Sequence, residues 1–200
     1  MSRLILIRHG ESLANLEGRF TWNAEEPLTA EGRRQARSTA EQLSLHFAPR
    51  VLYASPFRRA LDTAREIGSM FGLEPRVEED LREQDFGVFK GQPYAAFYGR
   101  YPAGGVERWE VHPEGGEKLR DVARRAGAAL DRIAKGHGEE EVLVVSHGGV
   151  MSALRGWARA DYSAAPTATR NAWGYVLHWR GSYYEAPIEL DDYQGWRSAE

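Results

Sequence analysis

Two histidines stand where chemistry is possible. Arg8-His9-Gly10-Glu11 follows one apolar run, and His147-Gly148-Gly149 follows another far downstream. An unperturbed imidazole titrates at about 6.5, so much of it is neutral near pH 7 and can act as a nucleophile. Phosphoryl transfer fits the company these histidines keep. It needs fixed positive charge and N–H donors around the phosphate, and a nucleophile in line with the leaving oxygen. It also needs a group that protonates the leaving alkoxide and later takes a proton from water. His9 suits the nucleophile and the adjacent Arg8 a phosphate clamp. Arg59, in a helix opened by Ser55-Pro56, supplies a second guanidinium, and His147 another donor. Glu83, between apolar Leu81 and Phe86, can serve as acid and then base if its surroundings favour the protonated form. Gly10 is expected to let the backbone approach an anion.

Composition narrows the alternatives. The 200 residues contain no cysteine, which removes disulfides, thiolate catalysis and zinc–cysteine sites. A metal centre on His9, His147 and Glu83 is disfavoured by the flanking arginines, and no His-Glu-x-x-His occurs. A formal net charge of −3 argues against a nucleic-acid binder. No apolar run approaches the roughly 20 residues that span a bilayer. The opening Met1–Arg8 is too short and too quickly interrupted for a signal peptide and reads instead as a buried strand, while the lack of cysteine fits a reducing cytoplasm. Lysine occurs only at 90, 118 and 135; every other basic side chain is Arg, the better bidentate partner of phosphate.

The elements that must position these groups alternate. Leu4–Ile7, Val51–Ala54, Arg76–Glu78 and Glu141–Ser146 read as strands. Helices are expected from Thr29 as N-cap to about His46, from about Phe57 to Phe71 with Gly72 as stop, from Glu117 to about Lys135, and from Val150 to Ala158. Two late strands, Ala172–Trp179 and Tyr183–Pro187, are expected to flank a turn at Arg180-Gly181-Ser182. The tail with Tyr193 and Trp196 reads as loosely ordered. The pattern predicts an α/β fold, a three-layer α/β/α sandwich around a mostly parallel sheet. A short, partly helical lid, Gly91 to Gly116, follows the third strand within one domain of 1–200. Ligands of such sheets bind beyond the carboxyl ends of the strands, the rim that carries His9 and His147.

These segments resemble a known family. Leu6-Ile7-Arg8-His9-Gly10-Glu11-Ser12 with Asn15 is similar to the signature of the histidine phosphatase (phosphoglycerate mutase-like) superfamily. Ser55–Ala60 with Thr63-Ala64, Leu81–Gly87 and Val145–Gly149 resemble its later motifs, in order, and Arg170-Asn171-Ala172 a weaker one. The resemblance implies that His9 accepts the phosphoryl group, that Arg8, Arg59 and His147 form the phosphate pocket, and that Glu83 donates the proton. It further implies phosphate or substrate contacts at Asn15, Thr21 and the Gly148 N–H. No metal or organic cofactor is implied, and the partner is a small-molecule phosphate monoester.

Within that family the sequence favours a phosphatase. The family's mutases carry a longer insertion with a paired arginine, whereas Gly91–Gly116 holds only Arg100, Arg108 and His112 as basic side chains. Phe86 stands near a position where mutases commonly carry Tyr. Asn15–Phe20 is locally mutase-like, which keeps a cofactor-dependent phosphoglycerate mutase as the alternative. A non-catalytic phosphate-binding protein is the third reading, though no pocket residue is lost. His46, His137 and His178 read as packing or surface residues, while His112 is a candidate substrate contact. Arg58 is expected to face solvent or a carboxylate, Glu117 to cap a helix or else help shape the pocket, and the lid aromatics to form a small core or an apolar pocket.

Overall fold

The computed structural model describes residues 2–101 and 106–192. Among these, six strands form one sheet in the order β3-β2-β4-β1-β5-β6. β1 (Arg3–Arg8), β2 (Val51–Ala54), β3 (Pro75–Val77) and β4 (Glu141–Ser146) run parallel. β5 (Gly174–His178) pairs antiparallel with β1, and β6 (Ile188–Glu189) pairs antiparallel with β5 at the sheet edge; a single-turn helix, α1 (Leu13–Leu16), follows β1.

β1 and β4 are central, and their side chains are buried on both faces. Leu4, Leu6, Val142 and Val144 pack under helices α5 (Leu119–Gly136) and α6 (Gly148–Arg159). Ile5, Ile7, Leu143 and Val145 pack under α2 (Ala30–Ser44) and α3 (Arg58–Phe71). Each such side chain contributes about 1.5–3 kcal/mol by leaving water. This explains why the strands read as continuous apolar runs rather than alternating ones. Thr29 caps α2 by accepting the Gly32 N–H, and Gly72 ends α3 at φ 66°.

Sequence pattern and structure part company in three places. The late hairpin is interrupted. Tyr184 pairs with Trp179 as an isolated bridge, and the strand proper is Ile188–Glu189 rather than Tyr183–Pro187. Pro187 has no N–H to continue the ladder. Second, α6 begins at Gly148, earlier than expected, with His147 as its N-cap residue. Third, Glu117 caps nothing: α5 follows Lys118 with no side-chain cap.

The stretch read as a lid contains α4 (Tyr94–Arg100) and a 3-10 turn at Val106–Trp109. Phe97 is buried here with Phe20 and Phe89, against Phe86, Tyr94 and Tyr101. Its aromatics therefore do both things expected of them, because Tyr94 and Tyr98 also face the cavity described below. Tyr193 and Trp196 of the tail lie outside the described residues.

Candidate active site

β1 and β4 end side by side, with Arg8 opposite Ser146. The next N–H, that of His9, still reaches the Ser146 carbonyl at 2.9 Å. The turn is then pinned from both sides. The Gly10 N–H donates to Thr63 Oγ1 (3.0 Å), and the His9 carbonyl accepts from Ala172 N (3.1 Å) and Asn171 Nδ2 (3.0 Å). The glycine at position 10 also answers a packing demand besides the one expected of it. A Cβ there would stand 2.3 Å from the Gly32 carbonyl oxygen, so what it permits is the close approach of α2.

His9 is 2 % exposed, and its ring has a defined role at each nitrogen. Nδ1 lies 2.7 Å from the Gly10 carbonyl, which can only accept, so Nδ1 carries the hydrogen. Nε2 therefore presents its lone pair, and Arg59 Nε donates to it at 3.2 Å. Burial, then the Arg59 and Arg8 charges, hold the imidazole well below its usual range. The ring is a neutral, buried nitrogen base that faces a guanidinium.

Arg59 reaches the site from the first turn of α3, its guanidinium carbon 5.2 Å from the Phe57 ring centroid. Burial lowers its pKa to about 10, with Glu83 and Glu26 opposing, so it stays charged at neutral pH. Arg8 anchors Nη1 on the Thr169 carbonyl (2.5 Å). Arg8 Nε and Arg59 Nη1 are buried with no hydrogen-bond partner among the described residues. Such donors are costly unless a ligand satisfies them.

His147 sits fully buried behind this pair, its ring centroid 5.2 Å from that of His9. Nε2 meets Ser55 Oγ at 2.7 Å, and Nδ1 has no partner among the described residues. Burial, then Arg59, His9, Arg8 and Arg125, hold it neutral as well.

Glu83 faces this group from the loop after β3. Its two oxygens accept from Gln84 N (2.9 Å) and from Gly149 N (3.3 Å), in the first turn of α6. A Cβ on Gly149 would lie 2.6 Å from Glu83 Oε1, so that position holds the carboxylate by being small. Arg125 braces the loop through the carbonyls of Asp80 (2.6 Å), Arg82 (2.8 Å) and Glu83 (3.1 Å). Glu117 completes the brace, accepting from Arg125 and from the Asp85 N–H. Of the two roles expected of it, the structure gives the shaping of the site and not the cap.

A cavity of about 450 Å³ opens over these groups. Arg8, His9, Asn15, Thr21, Arg59, Glu83 and Gly148 all line it; His147, beneath His9, does not. Asn15 accepts from Asn171 Nδ2 and donates to the Tyr94 hydroxyl, both at 3.0 Å. Thr21 donates to the Asn23 carbonyl (2.9 Å) and to Glu26 (3.1 Å). His112 is exposed, bonded to the Gly116 carbonyl at 3.0 Å, and does not reach the cavity. Arg58 is half exposed beside Asp62, as expected. Among the described residues no group of three or more His, Asp or Glu side chains is placed to hold a metal ion. None of the helices there is long and apolar enough to cross a membrane.

Sequence reading missed three contributors. Ser55 and Thr63 lay within recognised motifs, yet their roles in seating His147 and Gly10 are tertiary. Arg108 was noted only as a basic residue, but it is buried and lines the cavity.

Two buried neutral histidines make stability depend on pH. Their folded pKa values are depressed, so the unfolded chain binds more protons below about 6.5. The stability they permit is complete above that pH and is lost as the pH falls toward their folded values. Melting temperature is therefore expected to drop between pH 6.5 and 5. His9→Ala should flatten that slope, each histidine accounting for up to about 1.4 kcal/mol per pH unit. An unchanged slope in the variant would mean that His9 is not held neutral.

A mostly parallel sheet carrying a nitrogen base, two guanidiniums and a carboxyl group at one rim defines an enzyme that handles phosphate esters. Comparison with known proteins fixes the class. Residues 4–184 match the model of the histidine phosphatase superfamily (branch 1), and the chain belongs to that family. A metal-independent phosphoserine phosphatase of Arabidopsis thaliana is 32 % identical over 192 residues, covering 90 % of this chain and 77 % of the relative. Phosphoserine phosphatase 1 of Hydrogenobacter thermophilus is 35 % identical over 159 residues, covering 77 % and 74 %. The solved mycobacterial glucosyl-3-phosphoglycerate phosphatase superposes with a TM-score of 0.83 at 29 % identity, over 94 % of this chain and 98 % of that one. The chain is a hydrolase of phosphate monoesters.

Proposed function

We propose that the chain hydrolyses a phosphate monoester of a small metabolite in two displacements, through a phosphohistidine on His9. The single observation that carries this is the lone pair of His9 Nε2, facing Arg59 at the edge of a cavity that Arg8 and Glu83 also line. The phosphate sits against Arg8 and Arg59, with the Gly148 N–H at the start of α6 as a further donor and His147 buried behind His9. Asn15 and Thr21 contact the phosphate or the body of the substrate. Nε2 attacks phosphorus as the P–O ester bond breaks, and protonated Glu83 gives its proton to the departing alkoxide. Glu83, now a carboxylate, takes a proton from water. The water oxygen attacks phosphorus, the P–N bond breaks, and inorganic phosphate leaves with His9 neutral again.

No metal or cofactor is required in this scheme. Tyr94 and Tyr98, on α4 of the stretch read as a lid, flank the leaving group. The relatives' names speak of phosphoserine and a phosphoglycerate derivative, which supports a small phosphorylated acid as substrate. The test is release of inorganic phosphate from a panel of phosphorylated metabolites and an aryl phosphate, with and without EDTA. Release that EDTA does not alter is expected. No release from any compound, or loss in EDTA restored by a metal, would overturn the reading.

A further inference from the structure

Arg108 has no part in the two displacements, yet it is buried as the reacting groups are. It is 8 % exposed and lies on the 3-10 turn between α4 and α5. Its guanidinium carbon stands 5.0 Å from the Phe97 ring centroid. Nη2 donates to Gln84 Oε1 at 2.7 Å, and Nη1 has no partner among the described residues. Among the described residues no carboxylate pairs with it; burial lowers its pKa, and only the fields of Tyr98 and Glu83 oppose that. A guanidinium kept from water, unpaired, at the wall of a ligand cavity repeats the condition of Arg8 and Arg59 at the phosphate end. The same wall carries the aromatic or apolar side chains of Phe20, Phe86, Tyr98 and Leu119.

We infer that Arg108 is the residue that reads a carboxylate on the substrate, at a subsite separate from the phosphate pocket. This rests on the phosphatase reading above and names the chemical class within it: a phosphate monoester whose body also bears a carboxylate. A single positive charge whose buried Nη1 is left to donate suits a monoanion. A second phosphate would call for the paired cations seen at the other end, and Arg100, the other arginine of this stretch, is exposed with its guanidinium over Tyr101. The contact also connects to the acid. Gln84, which holds Arg108, is the neighbour of Glu83 and donates its own N–H to that carboxylate. Gln84 is fixed in turn by the Glu117 carbonyl at 2.7 Å. A carboxylate on Arg108 therefore orients the ester oxygen towards the proton donor.

The test compares substrates that differ in that group alone: 3-phosphoglycerate against glycerol 3-phosphate, and O-phosphoserine against phosphoethanolamine. The readout is the ratio of kcat/KM within each pair. The wild-type ratio is expected to be about 100 in favour of the carboxylate, as suits a desolvated charge-assisted pair. Arg108→Met, which keeps the contact with Phe97, should bring the ratio close to one, and Arg108→Lys should restore part of it. A wild-type ratio near one, a ratio that Arg108→Met leaves unchanged, or a preference for a bisphosphate over both acids would overturn the inference. A misfolded Arg108→Met leaves the wild-type and Arg108→Lys ratios to decide. An aryl phosphate run in parallel separates the two levels: its hydrolysis with no carboxylate preference removes the subsite alone, whereas its failure with every ester removes the phosphatase reading too.

Discussion

His9→Ala is expected to lower kcat by at least about 10⁴-fold while the protein still folds. The loss follows from what the ring supplies. Among the described residues, no other neutral nitrogen lines the cavity with its lone pair on Arg59. His147 has no place in that wall and cannot substitute. The fold survives because β1 is held by its pairing with β4 and β5 and by buried Leu4–Ile7. The imidazole's own hydrogen bonds are the short one to Gly10 and the one from Arg59. Removing it opens a small cavity and frees one more Arg59 donor, a cost on the order of 1–3 kcal/mol. Circular dichroism and a thermal melt check the fold. Residual turnover above about 1 % of wild type would contradict covalent catalysis.

Glu83→Gln is expected to separate substrates by their leaving groups. With alkyl phosphates, whose alkoxide must be protonated as it departs, kcat should fall by about 10²–10⁴-fold. With an aryl phosphate, whose phenolate leaves unaided, the loss should be about 10-fold. The substitution keeps the shape but not the bonding. Both Glu83 oxygens accept backbone N–H groups, from Gln84 and Gly149, and an amide has one oxygen for the two donors. That mismatch disturbs both substrates alike and accounts for the residual loss with the aryl ester. Equal losses with both would remove Glu83 from the acid role.

Much of this was readable from the chain because the strands and the site share their residues. Buried runs such as Leu4–Ile7 and Val142–Val145 declare central strands, and the groups just beyond them are what a parallel sheet presents at its rim. The bounds of β2 and β4 matched their apolar runs for the same reason. Where the pattern failed, the deciding partner was distant. Gly10 answers to Gly32, Glu117 to Arg125 and the Asp85 N–H, and the late hairpin to the missing N–H of Pro187. Arg108 was illegible for a related reason. An arginine in a segment of mixed polarity looks solvent-exposed until Phe97 and Gln84 are seen to enclose it.

The central claim is that the phosphoryl group rests on Nε2 of His9 between the two displacements. Rapid mixing with a ³²P-labelled substrate, quenching in alkali and mapping of the labelled peptide tests it most directly. The expected label is stable to alkali, lost in acid, carried by the peptide containing His9, and turned over at the rate of phosphate release. Steady turnover with no label on that peptide, or a label on another residue that turns over at that rate, would contradict it.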